Sequence, residues 1–394
     1  MRIIGTKAFG LRTPIIRESD DLVNIVCQSV KDAIENDKIT INDGDIFGIT
    51  EAVVARSQGN YANLNQIAED VKANFNGKKH IGVVFPILSR NRFAMLLKGI
   101  ARGAEKVTVL LSYPSDEVGN QLISWDDVDD KKLNPYSDCL NEAEYRRLFG
   151  NEVKHRFTGV DYVSYYKSLG DNIEIVLCAD PKRILDFTDH IIAADIHTRS
   201  RTKRALYLAG AKKVIGLDDL LAKPVNGSGY NELYGLLGSN KATEERVKLF
   251  PRDCETFVLK LQKALNDLSG KNVEVLIYGD GGFKDPVGGI WELADPVVSP
   301  AFTSGLKGTP NELKLKYLAD NNFADLSKED ARKEIEKAIQ AKAGINQMGK
   351  MESEGTTPRQ LTDLLGSLSD LVSGSGDKGT PIVLIQGYFD NYAS

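Results

Sequence analysis

The sequence predicts a mixed α/β protein of more than one domain, with a small α/β layered module set into its middle. Three observations lead there. The chain has 394 residues, too many for one small core. Between about His80 and about Leu221, short apolar runs alternate with helical patterns. Finally, Val273, Val275 and Ile277 alternate with Glu274 and Leu276, as in a buried or half-buried strand, and run into Gly279-Asp280-Gly281-Gly282. Three glycines around one aspartate allow positive φ and close backbone approach, and the carboxylate stands at the strand's C-terminal end. Such a place suits a phosphate or a phosphate-bound metal. It equally suits a tight turn whose Asp bonds its own backbone, and this stretch alone does not choose between them.

Composition narrows the function classes. Hydrophobic residues at 42% and charged residues at 27% are ordinary for a globular chain, and a net charge of −5 argues against a general nucleic-acid binder. No apolar run approaches the roughly 18–20 residues that span a bilayer. The first residues, MRIIGTKAFGLRTPII, lack the apolar core and cleavage site of a signal peptide. Cys27, Cys139, Cys178 and Cys254 are far apart without a CxxC pair, and read as reduced thiols of a cytoplasmic protein. His80, His155, His190 and His197 form no HExxH-type pair, so a histidine-based zinc site is not expected.

In chain order, Arg2 to Phe9 reads as a strand, and Asp20-Asp21 open a helix with Leu22, Val23, Val26, Val30, Ala33 and Ile34 at helical spacing. Asn42-Asp43-Gly44-Asp45 is a turn before a second strand, Ile46 to Val54. The following Ala55-Arg56-Ser57-Gln58-Gly59 sets an Arg among small residues, fit for an anion or simply exposed beside a turn. In the module, Ile81 to Phe85, Val107 to Leu111 and Ile173 to Leu177 read as strands, with Ile191 to Ala194 and Val214 to Ile215 as shorter ones. Arg92 to Arg102 and Arg199 to Leu208 read as helices. The acidic stretch Trp125 to Tyr136 lacks the glycine and distal Glu of a calcium loop, so a solvated loop is expected. His197 to Arg204 is the densest basic run, a candidate for a polyanionic ligand or a solvated helix face.

Further on, Glu255 to Leu268 reads as a helix with Leu259, Leu261, Leu265 and Leu268 on or near one face. Ser327 caps a charged helix through Ala343, and Thr357-Pro358 opens another over Arg359 to Val372. The Gly/Ser-rich stretch Ser373 to Thr380 then precedes the apolar strand Ile382 to Gln386. Such a loop can wrap a phosphate with backbone N–H groups or serve as a connector, and it lacks the ending of a Walker A loop.

Taken in order, these pieces resemble the coenzyme F420-0:L-glutamate ligase (F420 gamma-glutamyl ligase) family. The matching stretches are Thr13-Pro14-Ile15-Ile16-Arg17-Glu18, Asp43-Gly44-Asp45, Val53 to Gly59, Gly238-Ser239-Asn240, Leu249 to Asp253, Tyr278-Gly279-Asp280, and Gly374 with Asp377 through Gly387. The resemblance covers roughly residues 1–75 and 225–394. It implies an α+β fold of two domains, with residues 1–79 and 222–394 forming its two parts and residues 80–221 an inserted or expanded α/β module.

The function implied is that of a GTP-dependent ligase forming a carbon–nitrogen bond between L-glutamate and an anionic small-molecule acceptor, with Mg²⁺ or Mn²⁺, as a cytoplasmic homodimer. By carry-over, Thr13, Pro14, Ile15, Ile16, Glu51, Ala52, Arg56 and Asn240 lie along the nucleotide, with the loop Ser373, Gly374, Ser375, Gly376, Asp377, Lys378, Gly379 and Thr380. Asp280 is the metal-binding carboxylate, since a hard cation takes carboxylate oxygen. The chain also departs from the family. Leu237, Gly281 and Ser375 stand where metal-site side chains are expected, with Glu232, Asp253 and Asp285 as conceivable replacements. Phe283-Lys284-Asp285-Pro286 keeps a cation but adds a residue. A nucleotide-binding homologue without ligase turnover is therefore the second reading.

Overall fold

Strand Ile46–Thr50 lies at the centre of a five-stranded sheet, in the order Lys7–Leu11, Ile382–Gln386, Ile46–Thr50, Glu274–Tyr278, Ala301–Phe302. We describe it from a computed structural model, for residues 3–282, 284, 291, 294–342, 345–347, 349–353, 359–373 and 376–393. The centre belongs to these strands because alternate residues on both faces are apolar. Phe47, Ile49, Val275, Ile277, Ile382 and Leu384 share a core with Val26 and Val30 of helix Leu22–Asn36 and Val258, Leu261 and Leu265 of helix Cys254–Ser269. Ile46, Leu276, Tyr278, Val383 and Ile385 pack on the other face with Leu365 of helix Leu361–Ser373. Each such buried side chain contributes roughly 1.5–3 kcal/mol. Gly48 lets that last helix come close: a Cβ there would stand 2.6 Å from Ser369 Oγ.

Within this sheet, Ile46–Thr50 and Glu274–Tyr278 run parallel, with Thr50 opposite Tyr278, while the other pairs are antiparallel. Their carboxyl ends therefore emerge side by side.

The module forms a six-stranded sheet in the order Leu140–Asn141, Ile173–Leu177, Lys106–Leu111, His80–Val84, His190–Ala193, Lys213–Gly216. Five strands are parallel, and the short first one is an antiparallel edge. Strand order reverses between His80–Val84 and His190–Ala193, and the loops at the carboxyl ends there line a small cavity of about 30 Å³ with Ile87, Ser89, Arg92, Ala194 and Ile196. One core joins Val83, Val109 and Ile175 to Ile67 and Val71 of helix Leu64–Asn74 and to Leu236, Leu237 and Leu249. The boundaries expected at 79/80 and 221/222 thus fall among residues that pack together. The fold is α+β, with the α/β module held to the rest by a shared core. Among the described residues, no helix is long and apolar enough to cross a membrane.

Several local expectations need correction. The first strand is Lys7–Leu11. The second ends at Thr50, and Glu51–Ser57 turns helical. Trp125–Asp130 is a short helix capped by Ser124 rather than a loop. Leu259 and Leu268 are exposed, since Val258, Leu261 and Leu265 hold the inward stripe. The Ser327 cap is present, with its hydroxyl accepting from Asp330 N at 3.2 Å. The expected cap Thr357-Pro358, and Ala343, lie outside the described residues.

Candidate functional site

Because the two parallel strands end together, Glu51 and Gly279-Asp280 leave the same sheet edge. Glu51 opens helix Glu51–Ser57 and is buried, with its carboxylate accepting from Lys248 Nζ at 2.6 and 2.7 Å. Lys248 ends strand Arg246–Lys248, which pairs with Tyr61–Asn63 in the small third sheet. Burial raises the Glu51 carboxyl, and Lys248 opposes that rise.

Asp280 meets a cation from the module. Arg92 stands just before helix Phe93–Arg102. Its guanidinium donates from Nη2 to Asp280 Oδ2 at 2.9 Å and from Nη1 to Asp295 Oδ1 at 2.6 Å. Asp295 Oδ2 accepts the Asp280 N–H at 2.7 Å, which closes the group. A Cβ at Gly279 would stand 2.3 Å from Asp295 Oδ2, so only glycine fits there. Gly281 and Gly282 donate their N–H groups to Asp370 Oδ2 at 3.1 Å and Ser367 Oγ at 2.9 Å, both from helix Leu361–Ser373. None of Gly279, Gly281 and Gly282 has a positive φ. Gly279 and Gly281 serve close approach, not left-handed backbone, whereas a Cβ at Gly282 would stand at an ordinary 3.7 Å from Ser367 Oγ.

Four carboxyl groups, Glu51, Asp280, Asp295 and Asp370, thus lie around two cations, Arg92 and Lys248. Burial raises Asp370, and the Asp295 charge adds to it. Burial and then the charges of Asp295, Asp370 and Glu51 push the Asp280 carboxyl up to about 7, against the pull of Arg92. An unfolded Asp loses its proton near 3.8, whereas the folded chain holds it to about 7. The folded state binds more protons across that interval, so this contribution is complete below the lower value and is lost as pH rises through the upper one. The expected result is a melting temperature that falls from pH 4 to pH 7 more steeply in the wild type than in Asp280→Asn. Equal slopes would show that Asp280 titrates as an ordinary carboxylate.

The loop that presents Arg92 is tied down along its length. Asp116 Oδ2 accepts from Leu88 N at 2.9 Å, Tyr166 Oη from Ser89 N at 2.7 Å, and Ser89 Oγ from Arg92 N at 2.9 Å. Asn91 O accepts from Lys241 N at 2.7 Å.

The expected nucleotide residues fall in two places. Thr13 N donates to Gly379 O at 3.3 Å, and Thr50 N to Pro381 O at 3.0 Å, so the Thr13–Ile16 stretch and the Ser373–Thr380 loop meet near the end of strand Ile46–Thr50. Thr380 Oγ1 donates to Ser373 O. Pro14, Ile15, Asp377, Lys378 and Gly379 are exposed, Ile16 is buried, and Gly376–Lys378 is a single 3₁₀ turn. Ala52 is half-buried, while Arg56 is exposed and makes no ion pair with a described residue. Asn240 begins strand Asn240–Thr243, directly opposite Lys248 of the buried pair. Gly374, Ser375 and Asp285 lie outside the described residues.

Leu237 is buried in the module's core, and Glu232 and Asp253 are exposed. The carboxylates beside Asp280 come instead from Asp295 and Asp370. Sequence reading missed both, along with the pairing roles of Arg92 and Lys248. Arg92 lies 203 residues from Asp295 and 188 from Asp280, and Lys248 lies 197 from Glu51. No local spacing signals such contacts.

In the basic run, Arg199 and Lys203 pair with Asp218 and Asp219, which leaves Arg201 and Arg204 outward. Arg201 lines a groove of about 710 Å³ with Phe85, Tyr136, Lys182, Thr198 and Leu208. Glu117 accepts from Thr198 N beside it, and the neighbouring Val118 O accepts from Trp291 N, in the segment after Asp280.

Both Asp295 oxygens are engaged, Asp280 Oδ2 faces a guanidinium, and among the described residues no group of three His, Cys, Asp or Glu could hold an ion. In this arrangement the residues at Asp280 do not fit a divalent metal. A family model described as F420-0:Gamma-glutamyl ligase matches residues 10–387. A search of curated proteins found no match.

Proposed function

Because the chain belongs to the F420-0:gamma-glutamyl ligase family, we propose that it uses GTP to join L-glutamate to an anionic acceptor through an amide bond. The acceptor is coenzyme F420-0 or an analogue of like chemistry, such as a folate. The family match over nearly the whole chain carries this reading. In it, an acceptor carboxylate attacks the γ-phosphorus of GTP, GDP leaves, and an acyl phosphate forms. The amine of glutamate then attacks the acyl carbon. Phosphate leaves as the C–N bond forms, and the amine gives up a proton.

The chain's own groups supply position and charge. Thr13 to Ile16, Glu51, Ala52, Arg56, Asn240 and the Ser373–Thr380 loop line the nucleotide, which enters as its Mg²⁺ or Mn²⁺ complex. Four carboxyl groups would repel its phosphates; Arg92 and Lys248 offset that repulsion. The groove at Arg201 takes the anionic end of the acceptor. Its link through Val118 and Trp291 to the segment after Asp280 supports that placement. The assembly in this reading is a homodimer.

Phosphate release with GTP, L-glutamate and F420-0 or a folate tests the reading. Release should require both glutamate and acceptor, and Arg92→Ala, which leaves the phosphates facing Asp280 and Asp295 unopposed, should lower it on the order of 10²-fold or more. Arg201→Glu should raise the KM for the acceptor while kcat holds. No turnover with any acceptor, and no rise in melting temperature with GTP, would sink the proposal. A GTP-dependent rise without turnover would instead favour the nucleotide-binding homologue.

A further inference from the structure

We propose that the Arg92 guanidinium, delivered by the inserted module, takes the place of a divalent cation at Asp280. The contact has the form of a fixed cation site. Two different guanidinium nitrogens reach two different carboxylates, at 2.9 Å to Asp280 and 2.6 Å to Asp295. A planar, always-charged fork suits that bridging geometry, and it is less strongly hydrated than an ammonium. Side-chain exposure is 1% at Asp295, 19% at Arg92 and 27% at Asp280, so the Arg92–Asp295 pair lies largely away from bulk water while Asp280 stays partly open to it.

The donor set agrees. Mg²⁺ requires near-octahedral oxygen at about 2.0–2.1 Å. Here the Asp295 oxygens are taken by Arg92 and by the Asp280 N–H, and Asp280 Oδ2 is taken by Arg92. At the positions where the family's metal side chains are expected, Leu237 is in the core and Gly281 contributes only a backbone N–H, which Asp370 Oδ2 accepts. A metal at these oxygens would have to expel the arginine.

Nor is Arg92 a loose side chain that happens to fall into the site. The bonds at Leu88, Ser89, Asn91 and the Arg92 amide itself hold its backbone against Asp116, Tyr166 and Lys241. The module's first βα loop, at the carboxyl edge where strand order reverses, is therefore built to present this one cation. The positive charge is carried by the chain itself, and the ion that accompanies a nucleotide needs no seat on Asp280.

Mn²⁺ binding to the full chain without nucleotide, followed by electron paramagnetic resonance of the free ion, tests the inference without involving the ligase reaction. Wild type and Asp280→Asn should bind Mn²⁺ alike. Arg92→Ala should gain one equivalent at least about tenfold tighter than any wild-type site, and Arg92→Ala/Asp280→Asn should lose it. A wild-type Mn²⁺ site that Asp280→Asn removes would overturn the proposal, and that comparison stands even if Arg92→Ala fails to fold. A folded Arg92→Ala that gains no site would also overturn it. Neither result touches the ligase reading, which stands or falls on turnover.

Discussion

Lys248→Met is expected to destabilise the chain by about 3–5 kcal/mol, the order found when one partner of a buried ion pair is removed. Lys248 has a side-chain exposure of 11% and Glu51 of 8%, and the ammonium contacts both carboxylate oxygens. Methionine fills a similar volume, so the loss measures the stranded Glu51 charge rather than a cavity. Burial already raises the Glu51 carboxyl, and without Lys248 it rises further. A carboxyl raised in the folded state contributes stability at low pH that fades as pH climbs. The deficit in Lys248→Met should therefore shrink on acidification, and Glu51→Gln/Lys248→Met should recover most of the loss. Urea unfolding at several pH values reads all three. A single-mutant loss within about 1 kcal/mol, typical of exposed pairs, would show that the pair is hydrated in solution.

Tyr166→Ala should cost about as much, roughly 3–5 kcal/mol for a buried aromatic truncated to alanine. Tyr166 is fully buried, with its ring edge-on to Phe93 at 5.4 Å and tilted against Tyr162 at 5.5 Å. Its hydroxyl accepts the Ser89 N–H three residues before Arg92. Tyr166→Phe keeps the ring but strands that N–H, at a cost of about 1–3 kcal/mol. The two variants separate packing from loop anchoring. Both should lower phosphate release, because the loop that aims Arg92 loosens, whereas only Tyr166→Ala should lose most of its stability. Full activity in a folded Tyr166→Phe would break the link between this hydroxyl and Arg92.

The module shows how far local pattern reaches. Its strands at 81–85, 107–111, 173–177, 191–194 and 214–215 are legible because each is a short, mostly apolar run, interrupted only by Thr108 and Glu174, as befits strands covered on both faces. Each was found within one or two residues. Apolarity continues past Thr50 to Val54 and reads as strand, yet the chain turns helical at Glu51. Leu259 and Leu268 look inward by type but face outward, because only helix phase against the sheet assigns the buried stripe.

Sequence by itself determined the longer strands of the two large sheets, the long helices at 22–36, 93–102, 199–208, 254–269, 328–341 and 361–373, and the strand-end position of Asp280. It did not determine the edge strands Leu140–Asn141 and Ala301–Phe302 or the small third sheet. Period and composition are local quantities, set by which side of a strand or helix must avoid water. It also brought Glu51 and Asp280 under notice, and tertiary structure set them at one sheet edge by pairing their strands in parallel. Only the fold decided what Asp280 touches. Arg92 reaches it from 188 residues away, through a loop placed by Asp116 and Tyr166, and Asp295 closes the group from the far side of the turn. A buried charge must find its counter-charge wherever folding brings one, and nothing in local pattern records which distant residue that will be. The Gly-Asp-Gly-Gly turn looks from sequence like a place for a metal, and in the folded chain it closes on an arginine.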